Sequence, residues 1–567
     1  MDVKKIFLGK NELNLSQSQV SGHFLEIDGE MFYQIRNYHE MPVFFISIVS
    51  DSDHWMFISS NGSLTAGRKN RDNALFPYYT EDKIHDYKNL TGSSSHFLVE
   101  KDGKTFLWSP FTDESQNLYV VTRNLYKSVY GNKIIFEEVN SELGLSFRYG
   151  WYNSGKFGFV KKSSITNIGT TSLPISFIDG IRNILPPGIG AGFQSEFSNL
   201  LDAYKKNERI EGNPLGLFML SSIPVDKAEP SEALRTTTVW SAGFGNNCRI
   251  LISDKQVDAF RSGLPVRSEL DIRAARGAYY VNANLNLAAG SRKDWLMVAE
   301  VNQDSSDVSN LNRFILDTEN PADSINIDIH QGTMNLKKMV SFADGFQITN
   351  TKLCYARHYT NTLFNIMRGG VFADNYNVNR DDFKLYLSKI NKQVSLDYGT
   401  WVKNLPENIP YPELISRAES TGDADLLRIT GEYLPLTFSR RHGDPSRPWN
   451  QFSIETKNED GSLKFNFEGN WRDIFQNWEA LGFAFPEYAE GMISKFVNAS
   501  TIDGYNPYRI MRDGIDWESP DPHDPWAYTG YWGDHQIIYL QKLLELSEQF
   551  HPGKLDKIGR ASCRERV

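Results

Sequence analysis

From the N-terminus to about residue 320, apolar and polar positions alternate mostly with a period of two. Short runs rich in Val, Ile, Phe, Tyr and Thr stop at Gly, Asn, Asp and Ser, the pattern of strands closed by tight turns. MPVFFISIVS (41–50), HWMFISS (54–60), SHFLVEKDGKTFLWS (95–109) and LSFRYGWYNSGKFGFVKKSSITNIG (145–169) are clear examples. Asp102-Gly103 stands between two alternating runs and predicts a hairpin turn. Repeated at short spacing, such pairs imply a large antiparallel sandwich. The Gly-rich LPPGIGAGFQ (185–194) reads as a loop and, without a strand-to-helix context, as no phosphate cradle.

Beyond about residue 320 the period changes to 3.6. HYTNTLFNIMRGG (358–370), DDFKLYLSKINKQVSLDYGTWVKNL (381–405) and ELISRAESTGDADLLRITGEYL (413–434) read as amphipathic helices. So do IFQNWEALGF (474–483), FPEYAEGMISKFVNAS (485–500) and HQIIYLQKLLELSEQF (535–550). Long loops rich in Pro, Gly, Asp and aromatics separate them at 437–470 and 503–534. Loops of that length inside a compact domain are functional or disordered, and their aromatic content argues against disorder. Helices joined by such loops suggest an α/α toroid whose loops line a cleft. The expected fold is therefore multidomain, β followed by α: an N-terminal antiparallel β-sandwich (1–320), linker helices (321–380) and an incomplete toroidal catalytic domain (381–557).

Composition narrows this picture. A chain of 567 residues is too long for one ordinary core. Its net charge of −10, without a Lys/Arg run interleaved with aromatics, predicts no nucleic-acid partner. No apolar h-region follows the charged start, and no run reaches the roughly 18 apolar residues of a membrane span. Cys248, Cys354 and Cys563 have no metal-ligand spacing. A cytoplasmic protein away from membranes is expected. The last residues, IGRASCRERV, break the preceding amphipathic pattern and resemble a translated sequencing adapter. Residues 558–567 are accordingly expected to be a non-native tail, with the natural frame continuing past Lys557.

The chemistry concentrates in 465–536, where aromatics alternate with carboxylates. Flat apolar faces stack on sugar rings, carboxylates and amides bind hydroxyl groups, and glycosyl transfer needs an acid to protonate the leaving oxygen. Glu468 to Asp473 lead into a helix carrying Gln476, Asn477 and Glu479. Asp473 suits an N-terminal capping role, but capping alone does not call for Trp471, Arg472 and Glu479 nearby. Upstream, Arg440 to Asn450 is a Pro-fixed loop with Arg441, His442, Trp449 and Asn450. It reads equally as a clamp for phosphate or sugar, since Arg forks match oxyanions, and as a rigid connector. Tyr505, Trp517, Trp532, Asp534 and His535 are further substrate-binding candidates, His535 with the alternative of a plain helix-face role. The carboxylates lack the DxDxDG spacing, so no metal is expected.

The order of these motifs resembles the inverting cellobiose and chitobiose phosphorylases of glycoside hydrolase family 94. Trp449-Asn450-Gln451-Phe452 is similar to the family's Trp-Asn-x-Tyr-Gln segment. Trp471 to Asn477 matches the frame of Tyr-Arg-Asp-x-x-Gln-Asp, Ser500 to Gly504 resembles its helix-ending turn, and Gly533 to Gln536 is loosely similar to its last helix start. The resemblance implies a β-sandwich, a helical linker and an (α/α)6 barrel acting on a disaccharide or oligosaccharide. It further implies inorganic phosphate as co-substrate, no cofactor, and a homodimer as the assembly to test. It assigns Arg472 and Asp473 to the sugar site and the general acid to position 477. That position is Asn477, and an amide cannot act as a carboxylic acid. The role then falls to Glu479 or to Asp473, or the chain is not a conventional member. The family's phosphate site would lie beyond the last residue here. An inverting hydrolase and a non-catalytic glycan-binding relative are the competing readings.

Overall fold

The structure is a computed structural model describing residues 5–14, 18–222, 234–244, 247–440, 443–446, 452–458, 461–517, 522–523, 531–532 and 536–556. The chain divides into two compact units, residues 1–334 with 444–449 and residues 335–443 with 450–567.

The first unit is built from antiparallel sheets. The largest has eleven strands; at its centre Arg292–Gln303, Gly158–Asn167, Leu145–Ser154, Ile134–Asn140 and Val121–Ser128 lie side by side. A five-stranded sheet runs in the order Lys104–Trp108, Gly92–Lys101, Leu173–Ile184, Gly277–Leu287, Arg249–Leu251. A four-stranded meander, Phe45–Ile48 to Ala74–Phe76, and a two-stranded sheet of Phe7–Leu8 and Asn11–Glu12 stand beside these. Their inward residues form one core, with Phe97 against Phe147 and Phe177 against Trp295, both at 5.0 Å between ring centroids. Burial of such rings is the main source of stability here.

Charged groups are buried with that core, Lys161 among them. Lys161 Nζ lies 2.6 Å from Asp179 Oδ1, and Asp179 also accepts from Ser95 Oγ (2.6 Å) and Trp295 Nε1 (2.7 Å). Both partners are fully buried, a state tolerated only because the charges meet and their remaining lone pairs are bonded.

The Asp102-Gly103 hairpin forms as its sequence requires: the two residues take φ of 50° and 70°, and Lys101 pairs with Lys104. The strand-rich part ends at Gln303. Asp304 then caps the helix Ser305–Asp317 reciprocally with Asp307. The stretch read as a loop at 185–194 already contains the start of a helix, Ala191–Tyr204.

The second unit is mainly helical, and several helices are shorter than their periodicity suggested. The 381–405 segment is three helices, Arg380–Ile390, Lys392–Asp397 and Gly399–Lys403. Asn391 leaves helical geometry there, and its side chain accepts from the N–H groups of Gln393 and Val394. The 413–434 segment splits into Tyr411–Glu419 and Ala424–Gly431 at Gly422, whose φ is 73°, with Asp423 capping the second helix. Phe372, Phe383, Leu414, Trp471, Phe475, Trp478 and Tyr488 belong to one buried core that unites residues 372–436 with 467–510. The whole is a mixed β and α protein.

Candidate functional site

The helix Trp471–Ala484 organises the candidate site. Trp471, Ile474, Phe475, Trp478 and Leu481 recur at helical spacing and form its buried face. Trp471 is fully buried between Phe475 (4.7 Å) and Phe496 (5.0 Å). Its ring faces are therefore occupied by the core, which leaves none for stacking on a sugar. Trp478 donates from Nε1 to the Gly369 carbonyl at 2.8 Å, fixing the end of the helix Lys352–Gly369 against this one.

The three acid candidates lie in different surroundings. Asn477 is 5% exposed, and its amide donates to the Asp473 carbonyl one turn back. A Cβ on Gly369 would sit 3.0 Å from its Cβ, so the two helices touch at this residue. Glu479 accepts from Lys542 Nζ at 2.7 Å, an ion pair to the helix Ile537–Phe550. That hydrogen bond, together with the carboxylate charge, raises the Lys542 pKa. Asp473 has the lightest structural duty. Its side chain is 18% exposed, and among the described residues its one ion pair is with its neighbour Arg472, at 3.8 Å and 45% exposed. Gln476 is exposed.

A three-stranded sheet of Glu468–Asn470, Arg509–Met511 and Gly514–Asp516 abuts the start of this helix. The Trp471 N–H donates to the Tyr508 carbonyl at 2.9 Å. Arg509 is the hub: Nη1 reaches Glu468 Oε1 at 2.7 Å, and Nε reaches Asp516 Oδ2 at 2.9 Å. Burial works against the Arg509 charge, but Asp516 and Glu468 more than offset it and hold its pKa above the usual value. Trp517 follows this sheet half-exposed, and Tyr505, also part-exposed, pairs through its backbone with Trp532. Arg472, Asp473 and Gln476 lie together on the first turns of this helix, and the carboxylate–guanidinium cluster adjoins the helix start. Such a set can bind hydroxyl groups and supply one proton donor. Arg441, His442, Trp449, Asn450, Asp534 and His535 lie outside the described residues, as does the side chain of Trp532.

Sequence reasoning missed two buried cations. Arg512 donates to Asp382 Oδ2 and to the Phe465 carbonyl, both at 2.7 Å. Lys495 lies on the buried side of the helix Ala489–Ala499, above the rings of Phe467 and Tyr386. Burial lowers its pKa, opposed by the charges of Glu432 and Asp513. The signal was present: Met492, Lys495 and Phe496 share one face at i, i+3 and i+4.

Comparison with known proteins adds a sequence finding to this geometry. A β-rich unit followed by a helical one is the class that the architecture defines. Within the helical unit, residues 372–435 match the family model of glycoside hydrolase family 149 insertion domain 1. No curated protein matches. Among solved structures, the chain is similar to a bacterial glucoamylase complexed with acarbose, at 10% identity and a TM-score of 0.37 over 96% of this chain and 67% of that one. It is also similar to a putative kojibiose phosphorylase from the human microbiome (9%, 0.29, covering 89% of this chain and 61% of that one). A third is the family GH92 alpha-mannosidase from Bacteroides thetaiotaomicron (10%, 0.29, 89% and 70%). At these scores the overlaps carry no argument about mechanism. Among the described residues, no helix is long and apolar enough to cross a membrane, and no cluster of three or more metal-ligating side chains occurs.

Proposed function

We propose that this protein is a carbohydrate-active enzyme of the inverting glycoside phosphorylase type, with Asp473 as its general acid. The observation that carries the reading is the match of residues 372–435 to a glycoside hydrolase family domain. That segment shares a hydrophobic core with the helix bearing Asp473, and Arg512 ties Asp382 within it to the strand region beside the site. The finer likeness to the cellobiose and chitobiose phosphorylases, with an (α/α)6 barrel, rests on the motif order from Trp449 to Gln536.

In this reading Asp473 donates its proton to the glycosidic oxygen as the C–O bond to the anomeric carbon breaks. A phosphate oxygen attacks that carbon from the opposite face and gives a sugar 1-phosphate of inverted configuration. Arg472, Gln476, Trp517 and Tyr505 hold the sugar, and the remaining acceptor leaves as a free alcohol. One acid suffices, because phosphate is itself the nucleophile; an inverting hydrolase needs a second carboxylate about 6.5–9.5 Å away to activate water. Glu468 and Asp516, the carboxylates beside the helix start, are both engaged by Arg509, which favours phosphorolysis. A non-catalytic glycan-binding relative is favoured by one observation, the amide at Asn477. Cytoplasmic location, a homodimer and the absence of a cofactor belong to the same proposal.

The test is phosphate release from sugar 1-phosphates across a panel of acceptor sugars, with hydrolysis of oligosaccharides in parallel. Acceptor-dependent release supports the proposal. Hydrolysis without phosphate dependence would establish the hydrolase, and glycan affinity without turnover the binding protein.

A further inference from the structure

A cavity of 360 Å³ opens beside the five-stranded sheet, lined by residues from both of its faces. Strand alternation brings three polar residues to the face turned away from the sandwich core. His96 pairs opposite Ile178 and Ser94 opposite Gly180, and Arg182 follows two residues along the same strand. Phe177, Asp179 and Ile181 point the other way, into the core.

The charges at this cavity are unevenly matched. Lys88 pairs with Asp113 at 2.5 Å; Arg261 pairs with Glu114 at 3.0 Å and Asp258 at 3.6 Å. Arg182 makes no ion pair among the described residues, and its buried Nε has no hydrogen-bond partner there. Asp254 feels its charge but accepts instead from the Tyr280 hydroxyl at 2.6 Å. His96 is no rival cation. Its Nδ1 lies 2.7 Å from Ser109 Oγ and its Nε2 3.2 Å from Ser94 Oγ. Burial, then the charges of Arg261 and Arg182, push its pKa down to about 3, so the ring is neutral near pH 7.

We propose that this cavity is a binding site for a small hydroxylated oxyanion, a monosaccharide bearing one phosphate or carboxylate group, anchored by Arg182. A guanidinium fork binds two oxygens of such a group at once, which would satisfy the orphaned Nε. Ser93 and Asn89 also line the cavity and make no side-chain hydrogen bond among the described residues, so they remain available to sugar hydroxyl groups. The volume falls at the lower end of the roughly 300–1,000 Å³ of ligand pockets. Asp113, Glu114 and Asp258 are largely exposed, a partly acidic rim that disfavours long polyanions. The site uses none of the residues assigned to glycosyl transfer and stands independently of that assignment.

The experiment is calorimetric titration of the full chain with glucose 6-phosphate, glucuronate and neutral glucose, on the wild type and on Arg182→Met and Arg182→Lys. At least one sugar anion should bind more tightly than about 1 mM, and Arg182→Met should weaken it at least about tenfold. Arg182→Lys, which keeps the charge but not the fork, should lose several-fold and serves as the reading if the Met variant does not fold. Preference between the two anions identifies phosphate or carboxylate as the recognised group. Absence of binding by both, neutral glucose binding as tightly as they do, or unchanged affinity in the variants would overturn the proposal.

Discussion

Replacing Asp473 by Asn separates catalysis from stability more cleanly than any other change at the site. Asp473 contributes little to the fold: among the described residues its ion partner is the half-exposed Arg472 at 3.8 Å. Exposed pairs of that kind are worth about 0–1 kcal/mol, and partial solvation puts this one at the low end. A general acid, by contrast, typically contributes about 10²–10⁴ in rate. Asp473→Asn should therefore lower kcat for phosphate release by at least about a hundredfold while shifting the urea midpoint hardly at all. Glu479→Gln is the matched control. It breaks the 2.7 Å pair with Lys542 and should cost about 0.5 kcal/mol of stability with turnover retained. Full turnover in Asp473→Asn would refute the assignment; loss in Glu479→Gln instead would transfer the role to Glu479 and require its pair with Lys542 to open.

Three further outcomes follow from the packing. Lys161→Met should destabilise the β-rich unit by about 3–5 kcal/mol in urea unfolding, since it strands a buried Asp179, whereas Lys161→Met with Asp179→Leu should recover much of that loss; equal losses in both would sink the account. Burial raises the Glu490 pKa, but hydrogen bonds from Ser547, Lys554 and His551 outweigh it and leave the folded value below the ordinary 4.5. Its contribution is thus present above pH 4.5 and lost as pH falls through the lower folded value, so Glu490→Gln should flatten the acid limb of a stability–pH curve measured by circular dichroism. Asn477→Asp should lower stability by about 1–3 kcal/mol at neutral pH, because it replaces the donor to the Asp473 carbonyl with a buried acceptor; an unchanged thermal midpoint would show that the amide is not held as described.

Periodicity showed that strands give way to helices, because alternation and the 3.6 repeat are local properties of the chain, but it put the change at about residue 320, beyond the helix Ser305–Asp317. The Asp102-Gly103 turn was legible for the same reason. The three-stranded sheet around Arg509 was not, since its strands are only three residues long and Glu468–Asn470 joins the local Arg509–Asp516 hairpin across about forty positions. Nothing near Glu468 announces that Arg509 will reach it. The helix breaks at Asn391 and Asp423 were hidden differently: both are polar positions that fit a solvent-facing stripe until their side chains cap the following turn. The aromatic-rich stretch stands out by composition, but composition does not say which rings are buried. Trp471 and Trp478 occupy core positions of their helix, while Trp517 stays part-exposed.

The placement of the carboxylate bears on how a substrate must lie. Position 477, to which the motif resemblance assigns the acid, is one helical turn beyond Asp473, and four residues of α-helix rise about 6 Å. A sugar bound as that resemblance implies would present its glycosidic oxygen too far from Asp473 for direct proton transfer, which needs about 2.6–3.2 Å between heavy atoms. If Asp473 is the acid, the scissile bond must therefore sit one turn nearer the start of the helix, beside the Glu468–Arg509–Asp516 cluster. The surroundings favour that displacement. Asn477 is closed off where Gly369 meets it, whereas Asp473 is partly open and adjoins a sheet that can accept from and donate to sugar hydroxyls. Under that proposal the amide at 477 and the carboxylate at 473 are accounted for together, by one placement of the reacting bond along the helix axis.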